Sequence, residues 1–346
     1  MATRSVDNPP GNPASRNNTF TDFFARYGIF LVLLLIVAFL AILTPIVRGE
    51  QYFLRPQNLI NITLQASINA IIAVGMTFII TSGGIDLSVG SIVALCGVLA
   101  AYTLQLTQEW AFSAWLGLAV ALGAGGLCGL FNGWLITRFN LPAFIATLGT
   151  MGIFRGLALI LSDGRSIYGF GPAFIDLFAG NFTVPIIGDF PKAVVVALIV
   201  ALIGWFLLTK TKFGKYTIAI GGSEETSRLA GIPVERYRLG IYAFGGLLTG
   251  VAGSLLLARL RSGDPTFGTL YELDAIAAAV IGGTSLSGGE GSVTGTIIGA
   301  LIISVVRNAL NILNLQSYYQ QLVIGAVIIL AIMLDQWRKG QAAKRI

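Results

Sequence analysis

The 346-residue chain contains no histidine, only two cysteines and only 11% charged residues. Without histidine it lacks the commonest general base, proton shuttle and neutral metal ligand. Cys96 and Cys128 stand singly inside apolar runs, without metal-site spacing. Hydrolytic and metal-dependent chemistry are therefore disfavoured. The charged share is less than half of the roughly 25% usual in soluble domains, whereas 55% of residues are hydrophobic and the mean hydropathy is +0.80. Such a composition points to an all-α integral membrane protein that crosses the bilayer many times, at about 20 apolar residues per crossing. The net charge of +6 then concerns orientation, and no nucleic-acid partner is expected. Residues 1–26 are polar, rich in Asn, Pro and Ser, and lack the apolar core and cleavage site of a signal peptide. They read as a disordered cytoplasmic tail, and residues 338–346 as a basic one.

Between the tails, apolar runs bounded by charges, prolines or polar clusters give about ten crossings: 27–47, 59–82, 91–106, 112–137, 143–161, 192–209, 239–258, 273–283, 292–311 and 319–335. The second and eighth are interrupted by polar residues or glycine. With the N-terminus inside, 14 basic residues fall on inner segments and six on outer ones, which places both termini in the cytoplasm. An even number of crossings agrees.

The longest polar inner segment, 210–238, exceeds any minimal connector. Its centre, Glu224 to Ala230, suits a short helix opened by Gly221, Gly222 and Ser223 and closed by Gly231 and Pro233. Glu225, Arg228 and Leu229 would lie on that helix, presented for docking; a merely solvated loop is the alternative.

An internal repeat lies within the apolar domain of residues 27–337. GGIDLSVG at 83–90 and GGTSLSGG at 282–289 agree at five of eight positions. The candidate translocation residues there are Gly83, Gly84, Asp86 and Ser88 in the first copy, and Gly282, Gly283, Ser285 and Ser287 in the second. Corresponding interruptions in two halves of a membrane protein point to a translocation region, although Asp86 and Ser88 could equally cap the third crossing. Gln65 and Asn69, four apart on one helical face, and Thr147 in the fifth crossing extend the neutral polar set. Such groups suit an uncharged hydroxylated solute, and they equally suit hydrogen bonding between packed helices. Glu272 and Asp274 are expected at the outer interface, paired with Arg259 or Arg261, while Arg155 and Arg307 can snorkel from span ends.

The run AIIAVGMTFIITSGGIDLSVGSIVAL at 70–95 resembles the hallmark segment of the permease subunits of bacterial ATP-binding-cassette sugar importers of ribose, xylose and arabinose type. LPAFIATLGTMGIFRG at 141–156, GKYTIAIGGSEETSRLAGI at 214–232 and YELDAIAAAVIGGTSLSGGEGSVTGTIIGAL at 271–301 resemble it too, and NLQSYYQQLVIGAVIILAIMLD at 314–335 is most similar to ribose permeases. The resemblance implies a fold similar to the ten-helix permeases of vitamin B12 type importers. It further implies a homodimer in the bacterial inner membrane, two cytoplasmic ATPase subunits and a periplasmic sugar-binding protein. Gly221 to Arg236 would be the element coupled to the ATPase. No G-x-x-x-x-G-K-[ST] phosphate loop occurs in the chain, so it carries no cofactor, and ATP and Mg would be held by the partner ATPase. A stand-alone secondary transporter using Asp86 or Asp274 as the ion-linked group is the competing reading.

Overall fold

The structure, a computed structural model, describes residues 19–184, 188–316, 319–326, 329, 330 and 333, with side chains from residue 28 onward except 183–189. Among these, eight helices are long and apolar enough to cross a membrane. Five come first: α1 (Thr19–Arg48), α2 (Pro56–Thr81), α3 (Val89–Leu106), α4 (Ser113–Arg138) and α5 (Ala143–Leu161). A short helix α6 (Pro172–Phe178) and an antiparallel hairpin of β1 (Asn181–Val184) and β2 (Gly188–Pro191) lead into α7 (Lys192–Lys210). Next come α8 (Lys212–Gly222), α9 (Glu224–Leu229), α10 (Val234–Leu260), α11 (Tyr271–Ile281) and α12 (Val293–Ile312).

Two boundaries differ from the sequence reading. Helix α1 begins at Thr19, so residues 19–26 are helical and not a disordered tail. Phe20, Phe23 and Phe24 recur at helical spacing there, a signal obscured by Asp22 and Arg26. The eighth crossing contains only the 11 helical residues of α11, about 16 Å of rise against a hydrocarbon core of about 30 Å. It is preceded by the irregular segment 261–270. Within the expected tenth crossing the described residues are helical; the rest of it, residues 1–18 and the basic tail at 338–346 lie outside the described residues.

Helix α2 is the axis of the molecule. Every residue from Ala66 to Thr81 is buried, enclosed by α7, α10, α11 and α12. At the edge, α1 exposes Leu35, Phe39, Ile42 and Ile46, which cost nothing against lipid tails as apolar as themselves. Pro45 cannot donate to the Ala41 carbonyl one turn back, and Gln51 Nε2 supplies that bond at 2.8 Å.

Helices α4 and α10 pack antiparallel along glycines. A Cβ added to Gly129 would lie 2.1 Å from the Tyr242 carbonyl oxygen, and one on Gly246 would lie 2.1 Å from that of Gly125. Small residues at this spacing let backbones touch, which replaces the hydrophobic drive that lipid removes. Gly129→Ala is therefore expected to cost about 1–3 kcal/mol through overpacking and to lower the melting temperature of the detergent-solubilised protein. Gly149→Ala on α5, where no atom lies within 4 Å, serves as the comparison and should leave it unchanged.

Candidate functional site

The two copies of the repeat end their helices in the same way. Gly83 at φ +82° and Gly283 at φ +91° take the left-handed conformation that glycine adopts without strain. Gly83 N–H donates to Ile80 and Gly84 N–H to Ile79 after α2, as Gly283 N–H does to Val280 and Thr284 N–H to Ala279 after α11. These are two Schellman motifs. They correct the alignment by one residue: Gly83 is equivalent to Gly283 and not to Gly282, so the position of Asp86 is taken in the second turn by Leu286 and not by Ser285.

After the first turn, Asp86 is fully buried and holds three donors. Its carboxylate accepts from Ser88 N–H at 2.8 Å, Ser88 Oγ at 2.6 Å and Asn132 Nδ2 of α4 at 3.2 Å. Ser88 stands at the N-cap position of α3, yet its hydroxyl turns to Asp86 and Asn132 instead of the helix amides. The Tyr242 hydroxyl on α10 donates to the Ile85 carbonyl at 3.4 Å, and Thr147 Oγ1 on α5 lies 3.3 Å from the same oxygen while donating within its own helix to Ala143 O at 2.8 Å. A Cβ on Gly84 would lie 2.4 Å from the Tyr242 hydroxyl. In the second turn the Ser285 and Ser287 hydroxyls are 2.9 Å apart. Gly282 packs against α12, where a Cβ would lie 2.4 Å from Thr296 N.

Helix α5 gauges depth. Its 19 residues rise about 28 Å, nearly the whole hydrocarbon core, with Gly152 at the midpoint. Thr147 is about 7.5 Å from that midpoint, so the first turn lies within the depth that α5 spans. Arg155 is about 4.5 Å from it on the other side, and its Nη1 donates to the carbonyls of Pro265 and Phe267, the latter at 2.8 Å.

Segment 261–270 is irregular, and its Pro265–Phe267 stretch lies against Arg155 within the depth that α5 spans. Non-helical backbone is tolerated there only where protein or water satisfies it. Arg155 meets two carbonyls. Asp264 accepts from Thr266 N–H at 2.7 Å and from the Ser166 hydroxyl, and Gly263 bridges to Ile167. Gly268 meets Gly90 backbone to backbone, with a Cβ on either placed 2.2–2.3 Å from the other's carbonyl oxygen. Asp274, in the first turn of α11, is buried and receives Arg307 Nη2 of α12 on both carboxylate oxygens at 2.7 Å. This replaces the pairing expected with Arg259 or Arg261 at the outer interface.

Gln65 and Asn69 are not brought to the turns. Asn69 is twelve residues before Thr81, about 18 Å along α2. Asn69 is buried with its Nδ2 unbonded among the described residues, as is Ser304 Oγ on α12. The α2–α12 seam they belong to is joined by Thr77 and Thr296 at 2.7 Å and by Asn58 and Asn308.

In the polar segment 210–238, α9 forms as its ends dictate. Ser223 Oγ accepts from Thr226 N–H, and Gly231 at φ +79° closes the helix through Gly231 N–H to Arg228 and Ile232 N–H to Ser227, a third Schellman motif. Glu224 receives Arg238 at 2.6 Å and Arg228 at 2.9 Å, and Arg228 also pairs with Glu235. The Arg238 hydrogen bond, with that of Arg228, holds the Glu224 carboxyl below the usual carboxylate range. Its contribution is complete above the ordinary glutamate pKa, fades as the pH falls from there through the lowered value, and is gone below it. Arg228 therefore braces α9 against α10, while Glu225 and Leu229 face outward, Leu229 85% exposed.

The sequence reading missed Asn132, Tyr242 and Asp264, and took Arg155 only as a snorkelling side chain. Arg155 carried a usable signal, since an arginine inside an apolar helix faces a polar interior by default.

Residues 58–332 match the family described as branched-chain amino acid transport system / permease component. The chain is 43% identical over 320 residues to a ribose import permease protein of Bacillus subtilis (strain 168), covering 92% of this chain and 94% of that protein. It is 40% identical over 317 residues to a D-allose transport system permease protein of Escherichia coli (strain K12), covering 92% and 93%. To an L-arabinose ABC transporter permease protein of Azospirillum brasilense it is 38% identical over 332 residues, covering 95% and 93%. No solved structure matches the chain.

The Asp274–Arg307 pair generates a double-mutant cycle. Asp274→Leu or Arg307→Leu alone strands a buried charge and should cost about 3–5 kcal/mol. The double variant should recover most of the loss in thermal unfolding in detergent. Additive losses would mean that the two charges do not interact.

Proposed function

The chain belongs to the branched-chain amino acid transport system / permease component family, and on that premise we propose that it carries ribose or a related aldose as one half of a homodimer in the bacterial inner membrane. Its class is the permease subunit of an ATP-binding-cassette monosaccharide importer, a multi-pass membrane component without catalytic activity of its own. That class implies a partner ATPase and a substrate-binding protein. The observation that carries the sugar reading is the set of relatives, 38–43% identical along nearly their whole lengths and named for ribose, allose and arabinose.

ATP and Mg belong to the partner ATPase in this proposal, since the chain has no phosphate loop. Both termini are cytoplasmic, as supported by the 14 to six division of basic residues. Helix α9 is then the docking element, with Gly221, Gly222, Glu224, Glu225, Arg228, Leu229 and Gly231 as its coupling set. Glu224 and Arg228 hold its angle to α10, and Leu229 offers an apolar anchor to a cleft of the ATPase. The passage runs beside the irregular segments, with Gly83, Gly84, Asp86, Ser88 and Thr147 at one turn and Gly282, Gly283, Ser285 and Ser287 at the other. A stand-alone ion-coupled carrier fits poorly, because Asp86 is occupied by three donors and Asp274 by Arg307.

Proteoliposomes test the proposal. Labelled ribose should enter only when the chain is combined with its ATPase, its binding protein and ATP, and Leu229→Asp should lower both ATPase co-purification and uptake at least tenfold. Ribose accumulation by the chain alone under a proton or sodium gradient would contradict it.

A further inference from the structure

The C-terminal end of α8 is wedged between the two membrane turns with no side chain separating them. A Cβ on Gly221 would lie 1.8 Å from the Thr81 carbonyl oxygen at the end of α2 and 2.6 Å from Gly289 N in the α11–α12 turn. The two turns are themselves joined there, Gly289 N–H donating to Thr81 O at 2.9 Å. From the opposite side, a Cβ on Gly288 would lie 2.6 Å from Gly221 O, and one on Gly289 would lie 3.1 Å from Gly222 Cα. Three backbones from distant parts of the sequence therefore meet at one point.

Resting on the docking role proposed for α9, we propose that Gly221 is the joint through which a displacement of α9 reaches both membrane turns together. Two features support it. First, ion pairs of Glu224, Arg228, Glu235 and Arg238 link α9 to the start of α10, and only Ser223, in extended conformation at φ −160°, separates α9 from α8. A push on α9 is thus delivered to Gly222 and Gly221. Secondly, a contact made of backbone alone has no rotamers with which to absorb a shift, so close-packed elements move together or not at all. The Gly289–Thr81 hydrogen bond makes the two turns one body at this point. Gly221 is a positioning residue: it touches neither sugar nor nucleotide.

The test measures sugar imported per ATP hydrolysed by the complete transporter in proteoliposomes. Gly221→Ala should lower that ratio at least tenfold, because the added methyl separates the two turns from the lever. Gly240→Ala, on α10 with only ordinary contact to Phe213 at 3.5 Å, should leave the ratio unchanged. A purely packing role predicts fewer assembled transporters with the ratio intact, and that outcome would overturn the proposal. Should Gly221→Ala not assemble, a reversible lock decides: Gly222→Cys with Gly289→Cys, in a chain carrying Cys96→Ala and Cys128→Ala. Oxidation should stop uptake and reductant should restore it. Failure of the pair to cross-link, or uptake at the reduced rate while cross-linked, would count against the joint. Uptake by the unsubstituted complex in the same preparation tests the docking reading separately.

Discussion

A backbone amide or carbonyl inside a bilayer has no water to bond, and the described residues include three irregular junctions, α2–α3, α10–α11 and α11–α12, that meet this constraint with groups of the chain itself. Each break is answered by a particular device. The α2 and α11 ends fold their last amides back in Schellman motifs. The α2–α3 turn gathers Ser88, Asn132, Thr147 and Tyr242 around Asp86 and the Ile85 carbonyl. Segment 261–270 has two carbonyls clasped by Arg155. The polar groups of the membrane domain are thus largely spent on making irregular backbone tolerable at depth, and that irregular backbone is what a passage for a hydroxylated solute requires.

Glycine is the complementary means. Where polar atoms satisfy the breaks, glycines bring the pieces into backbone contact, between α4 and α10, between Gly90 and Gly268, and at Gly221. In water a core of leucines would hold such helices together. In lipid, packing distance and hydrogen bonds must do so. The same close contact joins the polar segment 210–238 to the two turns, so that the segment proposed to meet an ATPase is continuous with the turns proposed to line a route.

What could be read from the sequence was local. The ends of α9 followed from Ser223 and Gly231 because capping chemistry is written within a few residues. The paired turns showed as a short repeat because both need the same left-handed glycine, although matching letters placed the equivalence one residue off. What could not be read was tertiary. Nothing near Asp274 announces Arg307, 33 residues on, so the nearer Arg259 and Arg261 were the natural partners to expect. The irregular segment before the eighth crossing was not legible either, because the arginine that satisfies it comes from α5. Gln65 and Asn69 share a face as their spacing requires, yet a shared helical face gives no depth, and Asn69 lies about 18 Å along the helix from the turn.

Hydrogen–deuterium exchange on the complete transporter in lipid nanodiscs, with and without a non-hydrolysable ATP analogue, tests most directly whether the breaks are internally satisfied and joined to the inner helix. Without nucleotide, amides in 82–88, 262–270 and 282–292 should exchange slowly despite lying outside regular helices. Nucleotide should then change exchange in 82–88, 221–231 and 282–292 together. Rapid exchange of these segments without nucleotide, or a nucleotide effect confined to 221–231, would contradict a chain whose membrane turns are sealed by its own residues and moved by its docking helix.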